Sequence, residues 1–352
     1  MLKIKKFHII LLSFFLISLS LFFLYLASSL SLKKIDNRSY GEAENVRNGF
    51  AQVSKIMEKL ASKEYVTCKE NLQSCIFKNN KELIIIPKGN YLIEKPLKIP
   101  NSSKIFIRED AVIKLSNSAK MPRFGGSVIE LKGNYKDLIS DITIIQNGII
   151  DGNKIIHSYD KSGNEGIKID YADRVVIFGN GVIQNVSGDG IDLDATSNSV
   201  ILGVSTINNS GSGIHFGSPR PIIKSSKNNQ IIGAYSSENG FYHKRNGFDV
   251  SFPNMNSATY AWSIADKNFK NWEILGSNSE VFKGVSINSK NKDDTQGASI
   301  VEINDSFQKN YLTNLPYIKT LIKRDIYFYL FDKKISEDFT ELKYLRNKLE
   351  NE

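Results

Sequence analysis

Residues that can transfer protons recur at one position of a repeated pattern. Four short segments each begin with glycine and then alternate apolar and polar residues: 166–170, 190–194, 213–217 and 247–251. Their third positions hold Lys168, Asp192, His215 and Asp249. Alternating residues point to opposite faces of a strand, and stacked strands lie about 4.8 Å apart. Stacking of the four segments in register would therefore place a histidine between two carboxylates in one outward column.

A second outward column and the turn beside it add further carboxylates. The column comprises Asp170, Asp194, Gly217 and Ser251, and the turn contributes Glu165 and Asp189. Like charges at this spacing favour protonation of one carboxyl group, which places an acid beside a base. Hydrolysis of a glycosidic bond needs such a pair, whereas abstraction of a sugar C5 proton needs a base near a cation. We therefore predict a catalytic group of Glu165, Asp189, Asp192, His215 and Asp249.

Several residues near this group are candidates for binding a substrate: Lys168, Arg220, Lys244, Arg245 and Tyr242. Tyr242 is one of a group of aromatic residues that also includes Tyr235, Phe252, Tyr260 and Trp262. These rings favour a local site, but they are equally compatible with filling the core of a long coil. The charged residues have an alternative interpretation as solubilising positions on outward strand faces. The sequence is therefore compatible with an enzyme and also with a non-catalytic glycan-binding, structural or adhesin module.

The repeat also predicts the architecture that positions these residues. Its glycines are 24, 23 and 34 residues apart, and β-branched segments ending in glycine lie between them, at 141–148, 174–181, 198–203 and 229–233. Asparagines follow at 185, 208, 209 and 239, where a chain that bends sharply tolerates left-handed backbone. Within the repeat no segment keeps a helical period of apolar residues, and a two-sheet sandwich does not need the same face pattern in every repeat. We predict an all-β fold, a right-handed parallel β-helix, over residues 83–304.

Segments outside the repeat are predicted to cover the ends of this solenoid. A cap over residues 36–82 contains an amphipathic helix with one apolar face, formed by Val46, Phe50, Val53, Met57 and Leu60. A second cap over 305–352 contains a helix that follows Ser336 and carries Phe339, Leu342, Leu345 and Leu349 on one face. Caps are expected because the terminal coils of a solenoid expose core and strand edges.

The first 35 residues predict export. Three lysines lie within the first six residues, and residues 7–32 contain no Asp, Glu, Lys or Arg. This length fits a bilayer-spanning helix and exceeds the usual core of a signal peptide, although Ala27–Ser29 offers small residues for cleavage. An anchor in the membrane through residues 7–32 and a cleaved signal segment both stay open. Each places residues 36–352 outside the cytoplasm.

Net charge and cysteine content limit the ligands and binding partners that we expect for this protein. The net charge of +9 falls to +4 beyond residue 35, where 41 basic residues face 37 acidic ones. No nucleic-acid-binding fingerprint accompanies this charge, so nucleic acid is not an expected partner. Cys68 and Cys75, the two cysteines, predict a disulfide in an exported protein. Two thiols do not make a metal site, and we predict no metal or cofactor, while a calcium ion between carboxylates is left open.

Several motifs resemble those of the pectate-lyase-like superfamily of right-handed parallel β-helices. The amphipathic helix followed by Ile86–Tyr91 resembles the start of that fold, and Asn147–Gly152 is similar to a motif of polygalacturonase-type glycoside hydrolases. Asn164–Gly166 and Gly188–Asp189 match the positions of the acidic motifs of that family, with Gly188 in place of one aspartate. Gly211–Ser218 fits its Gly-His-Gly segment, with Ser212 at the histidine. The resemblance covers about residues 45–300 and implies an enzyme that cleaves or modifies an acidic polysaccharide as a hydrolase, lyase or epimerase.

Overall fold

Parallel strands form three sheets in the part of the chain that the structure describes. The computed structural model describes residues 40, 43–44, 47–48, 51, 54, 65–80, 82–121, 126–157, 163–217, 226–251, 258–261, 263–275, 279–282, 285–287, 289–290 and 298–301. All of them belong to one compact unit, residues 39–312.

Sheet A is formed, in spatial order, by β1 (Val66–Thr67), β2 (Leu83–Ile86), β5 (Lys104–Ile107), β8 (Ile139–Gln146), β11 (Ala172–Phe178), β14 (Val200–Leu202), β17 (Asn229–Ile232), β20 (Ala258–Ala261), β23 (Ser279–Phe282) and β25 (Ala298–Val301). Sheet B is formed by β3 (Gly89–Ile93), β6 (Ala111–Leu115), β9 (Ile149–Asp151), β12 (Val182–Gln184), β15 (Ser205–Ile207), β18 (Tyr235–Ser237), β21 (Ile264–Asp266) and β24 (Val285–Ile287). Sheet C is formed by β4 (Leu97–Lys98), β7 (Ser127–Lys132), β10 (Glu165–Asp170), β13 (Ile191–Asp194), β16 (Ile214–Gly217), β19 (Asn246–Val250) and β22 (Lys270–Ile274).

The chain winds through the three sheets in a fixed order. From β2 to β22 it visits sheets A, B and C in turn, and each strand pairs in parallel with the equivalent strand of the next coil. The alternating sequence explains this winding because every coil turns one apolar column inward. In sheet C that column includes Ile167, Ile191, Ile214 and Phe248, all fully buried. The predicted parallel β-helix is confirmed.

The longer third repeat keeps its register with the others. Ile191 pairs with Ile214, and Ile214 pairs with Phe248 although 34 residues separate them. Of the described residues in this repeat, 226–228 and 238–245 lie outside the named strands and do not disturb the pairing. The predicted phase of the glycine-led segments is therefore confirmed.

Stacked asparagines support the turn between sheets B and C. The Oδ1 atom of Asn239 accepts from the backbone N–H of Asn209 at 2.9 Å, and Oδ1 of Asn268 accepts from the N–H of Asn239 at 2.9 Å. At the neighbouring position Asn185 and Asn208 have φ angles of 52° and 56°, in the left-handed region. The predicted asparagine turns are confirmed, and they satisfy buried backbone groups that have no strand partner.

A short helix covers the first coil. Helix α1 (Leu72–Lys78) buries Leu72 and Ile76 in the core. Its Gln73 pairs with the backbone of Lys98 in β4 through bonds of 2.9 and 2.8 Å, which satisfies an edge strand of sheet C. Cys75 of α1 forms the predicted disulfide with Cys68, with the Cα atoms 5.8 Å apart.

The preceding helical segment lies elsewhere than expected. Residues 40, 43–44, 47–48, 51 and 54 are helical, and Arg47 donates to Ser205 Oγ at 3.0 Å and lies 4.7 Å from the ring centre of Tyr235. Both partners are on the outer face of sheet B, in the middle of the solenoid. The expectation that this helix covers the open end is therefore wrong for the turn around Arg47, and α1 takes that role.

Other predictions fall on residues that the structure leaves undescribed. These are the segment 1–35, the apolar face of the first helix, the C-terminal cap over 305–352, and the residues Arg220, Phe252 and Trp262. Within the described ranges, no helix has both the length and the apolar character needed to cross a membrane.

Candidate active site

The predicted outward column exists on sheet C. Lys168 pairs with Asp192, Asp192 with His215, and His215 with Asp249 on adjacent strands. The same register extends to Glu273 in β22. The expectation that the column faces solvent is wrong, however, because Asp192 is 5% exposed and Asp249 is 0% exposed. Their neighbours in the column and the turns cover them, so these carboxylates act in a largely water-excluded place.

Lys168 binds three carboxylates at once. Its Nζ lies 2.7 Å from Asp192 Oδ2, 3.4 Å from Asp170 Oδ1 and 3.5 Å from Asp194 Oδ2. Burial alone would lower the pKa of Lys168, but the three carboxylates raise it overall. We therefore infer that Lys168 binds Asp192 and not a substrate, since only 12% of its side chain is exposed.

The carboxylates around Lys168 differ in their proton affinity. Burial opposes ionisation of Asp192, but the Lys168 ammonium and the hydrogen bond from His215 hold its pKa well below the usual range. Burial raises the pKa of Asp194 to about 7, and the Asp192 carboxylate adds to that effect. Burial also raises the pKa of Asp170. One ionised carboxylate is thus surrounded by two that hold protons more readily.

His215 faces carboxylates with one ring nitrogen and a hydroxyl with the other. Its Nδ1 lies 2.9 Å from Asp192 Oδ1 and 3.4 Å from Asp189 Oδ2, and its Nε2 lies 3.2 Å from Ser251 Oγ. Burial would lower the pKa of His215, but Asp249, Asp189 and Asp192 together raise it well above the usual value. The surroundings of the ring therefore favour its protonated form.

Glu165 and Asp189 lie next to each other at the turn that precedes the column. The backbone N–H of Asp189 donates to Glu165 Oε2, and the backbone N–H of Ser212 donates to Asp189 Oδ1. Burial raises the pKa of Glu165 well above its usual value, and the Asp189 and Asp192 carboxylates raise it further. These surroundings favour the protonated form of Glu165, which lies beside a second carboxyl group.

Two glycines make room for these acids. A Cβ at Gly188 would collide with Glu165 Oε2, and a Cβ at Gly211 would collide with Asp189 Oδ1. Each glycine belongs to the coil after the acid that it contacts. Gly188 stands where the resemblance expected an aspartate, so here that position supports Glu165 by lacking a side chain.

Asp249 is surrounded by polar partners that the sequence patterns did not reveal. Its Oδ1 accepts from Ser251 Oγ at 3.0 Å, and its Oδ2 accepts from Ser212 Oγ at 3.2 Å and Asn246 Nδ2 at 3.0 Å. Burial raises its pKa, and Glu273 and Asp189 add to that rise. Glu273 was missed because its strand carries Asn271 where the earlier repeats carry glycine. Continuation of the register by one coil was the signal that could have found it.

A loop beside the turn carries three of the five predicted substrate-binding residues. Within it, His243 Nε2 lies 3.0 Å from the carbonyl oxygen of Ser187, two residues before Asp189. Tyr242, Lys244 and Arg245 are exposed on this loop. The ring of Tyr260, in contrast, is fully buried among core aromatics, so it fills the core.

One group of these side chains has the composition of a metal site. The ligand atoms of Asp189, Asp192 and His215 lie within 4.8 Å of one another. The three side chains also contact one another, since Nδ1 of His215 lies 2.9 Å from Asp192 Oδ1 and 3.4 Å from Asp189 Oδ2. In this structure they form one hydrogen-bonded cluster.

Comparisons with known proteins show distant similarity to solved structures. No protein-family model matches the sequence, and no curated protein matches it either. Among solved structures, the surface adhesin PfbA of Streptococcus pneumoniae is 13% identical with a TM-score of 0.44, over 61% of this chain and 66% of that one. The ORF18 protein of Geobacillus virus E2 is 13% identical with a TM-score of 0.43, over 72% and 52% respectively. The family 28 exopolygalacturonase of Yersinia enterocolitica is 10% identical with a TM-score of 0.43, over 68% of each chain.

The chain thus spans about two thirds of the length of the adhesin structure and about half of the length of the viral protein. At these identities and scores the similarities carry no assignment of activity. The parallel β-helix itself follows from the three sheets of this chain.

Proposed function

We propose that this protein is an exported, envelope-associated enzyme that cleaves or modifies a polysaccharide by general acid–base chemistry on sheet C. The observation that carries the proposal is the contact of Glu165 with Asp189 at one turn, where burial raises the pKa of Glu165 well above its usual value. A carboxyl group whose surroundings raise its proton affinity can act as an acid beside a second carboxyl group that acts as a base. The export part rests on the charge-free segment 7–32.

Within this proposal, Glu165 donates its proton to the leaving glycosidic oxygen and Asp189 serves as the base that activates water. We propose hydrolysis because Glu165 offers a proton donor at the same turn as Asp189. Abstraction of a sugar C5 proton by Asp189 beside a protonated His215 is the alternative, and the product assay below distinguishes the two.

An acidic glycan is the substrate class that the nearby surface fits best. Lys244 and Arg245 are exposed on the loop that contacts Ser187, and Tyr242 on the same loop is 58% exposed. Cationic side chains attract a carboxylate, and an exposed aromatic ring offers an apolar face to a sugar. We propose this loop as the place where the polymer is held beside Asp189.

The test is a screen of the full-length protein against acidic and neutral polysaccharides, with separate detection of new reducing ends and of unsaturated products. New reducing ends without unsaturation are expected. Glu165→Gln and Asp189→Asn should each lower the rate about 10²–10⁴-fold. Asp266→Asn, which changes an outward carboxylate of sheet B, is the matched control and should leave the rate unchanged.

Unsaturated products would replace the hydrolase proposal with a lyase. Binding of a polysaccharide without turnover, with equal affinity in the parent and the Glu165→Gln variant, would replace the enzyme with a binding module.

A further inference from the structure

A continuous chain of hydrogen bonds joins Asp192 to Asp249 across three strands. Asp192 Oδ1 lies 2.9 Å from His215 Nδ1, His215 Nε2 lies 3.2 Å from Ser251 Oγ, and Ser251 Oγ lies 3.0 Å from Asp249 Oδ1. The acid–base pair proposed above does not include Ser251. Its hydroxyl nevertheless links His215 to Asp249 in this series of hydrogen bonds.

The donors in the chain can be counted. A serine hydroxyl has one proton to donate and two lone pairs to accept with. When Ser251 donates to Asp249, it must accept from Nε2, and Nδ1 must donate to the carboxylates that it faces. His215 then carries both ring protons and Asp249 is ionised.

A second arrangement uses the same atoms. The Nε2 proton moves to Ser251 Oγ as the hydroxyl proton moves to Asp249 Oδ1, so that two O–H or N–H bonds break and two form. The imidazolium becomes neutral imidazole and the carboxylate becomes a carboxylic acid. The total number of protons is unchanged, and none is exchanged with solvent.

The surroundings favour each arrangement through different groups. Asp189 and Asp192 favour the proton on His215, with Lys168 behind Asp192 weakening that pull. Hydrogen bonds from Ser212 and Asn246 and the charge of Arg245 favour the ionised form of Asp249. Complete burial and the neighbouring Glu273 favour its neutral form. Asp194 also interacts with the charge of His215, and the buried Tyr260 interacts with that of Asp249.

We propose that Ser251 is a proton bridge that makes His215 and Asp249 one acid–base unit opposite Asp189. The inference rests on the proposed function, because the unit serves Asp189. While Asp189 is ionised the proton sits on His215 and the two attract. When Asp189 takes up a proton in the reaction, the bridged proton moves to Asp249 and leaves a neutral ring. Ser251 is thus a positioning residue that sets the charge next to the base.

The test observes the imidazole nitrogens of His215 by NMR during pH titration of the full-length protein. The chain has four histidines, and loss of one signal set in His215→Gln assigns the residue. Ser251→Ala should lower the proton affinity of His215 about tenfold, because a hydrogen bond to the charged ring is lost. Ser251→Thr keeps the hydroxyl, so His215 should titrate in this variant as it does in the parent. This measurement needs no substrate, so it stands or fails separately from the proposed function.

A second comparison distinguishes a bridge from an ordinary polar neighbour. Asp249→Asn should change the titration of His215 more strongly when Ser251 is present than in the Ser251→Ala background. Additive effects of the two substitutions would overturn the proposal, as would an unchanged His215 titration in a folded Ser251→Ala variant. Where a substrate is found, Ser251→Ala should also shift the pH profile of the rate, and Ser251→Thr should restore it.

Discussion

Replacement of Lys168 by methionine tests the central electrostatic feature of the site. The ammonium lies 2.7 to 3.5 Å from three carboxylates, and the side chain is 12% exposed. Methionine keeps the length of the side chain and removes the charge, so the buried carboxylates lose their common partner. Removing one member of a buried ion pair typically costs about 3–5 kcal/mol of folding free energy. We expect Lys168→Met to lose about that much stability at pH 7.

The loss should depend on pH in a defined direction. In the parent, the lowered pKa of Asp192 contributes stability above its unfolded pKa and loses it as the pH falls through the folded value. The raised pKa of Lys168 contributes stability below its unfolded pKa, so both contributions are present at pH 7. Without the ammonium, the carboxyl groups have raised pKa values and destabilise the fold above about pH 4, their unfolded value. Lys168→Met should therefore gain stability as the pH falls from 7 towards 5.

Urea unfolding of the full-length protein at pH 5, 6 and 7 measures both effects. The matched control is Lys98→Met, because Lys98 stands in the same outward column but is exposed and lies 3.9 Å from Glu130. That substitution should cost less than about 1 kcal/mol at any of these pH values. Equal losses for the two variants at pH 7, or a Lys168→Met deficit that grows on acidification, would refute the electrostatic account.

Three further predictions concern separate features. Glu165→Gln and Asp189→Asn should each lower turnover about 10²–10⁴-fold with an unchanged circular dichroism spectrum; full activity would place the chemistry elsewhere. Non-reducing intact mass should be two hydrogens below the reduced mass because Cys68 and Cys75 are joined, and Cys75→Ser should cost about 2 kcal/mol; thiols that alkylate without reductant would contradict the pairing. Protease added to cells with opened outer layers should degrade residues 36–352, and full protection of that region would contradict export.

The sequence predicted the fold and the register well because both follow from local alternation. Every glycine-led strand repeats the same inward and outward positions, so pairing of Asp192 with His215 and of His215 with Asp249 could be derived from spacing. The asparagine turns were equally local. These features need only the periodicity of a strand and the geometry of a turn.

Burial and long-range contacts could not be derived in this way. The patterns indicated which side chains point outward but not that Asp249 would be enclosed by Ser212 and Asn246. They also placed the first helix over the open end, because terminal coils expose core and strand edges, whereas Arg47 reaches Ser205, 158 residues away. Such contacts depend on how connecting segments fold back over the sheets, and strand periodicity carries no information about that.

The aromatic cluster in the core shows how a long-range contact and the strand register depend on each other. After the long third coil, Phe248 packs 4.5 Å from Trp272 and 5.4 Å from Tyr260, measured between ring centres. A slip of one residue would turn Phe248 outward, at a cost of about 1.5–3 kcal/mol for its lost burial, and would place the Asp249 carboxylate in the apolar core. The slip would also separate Asp249 and Ser251, which turn together, from His215 on the neighbouring strand. Aromatic packing inside the solenoid therefore fixes the register that the acid–base cluster outside it requires.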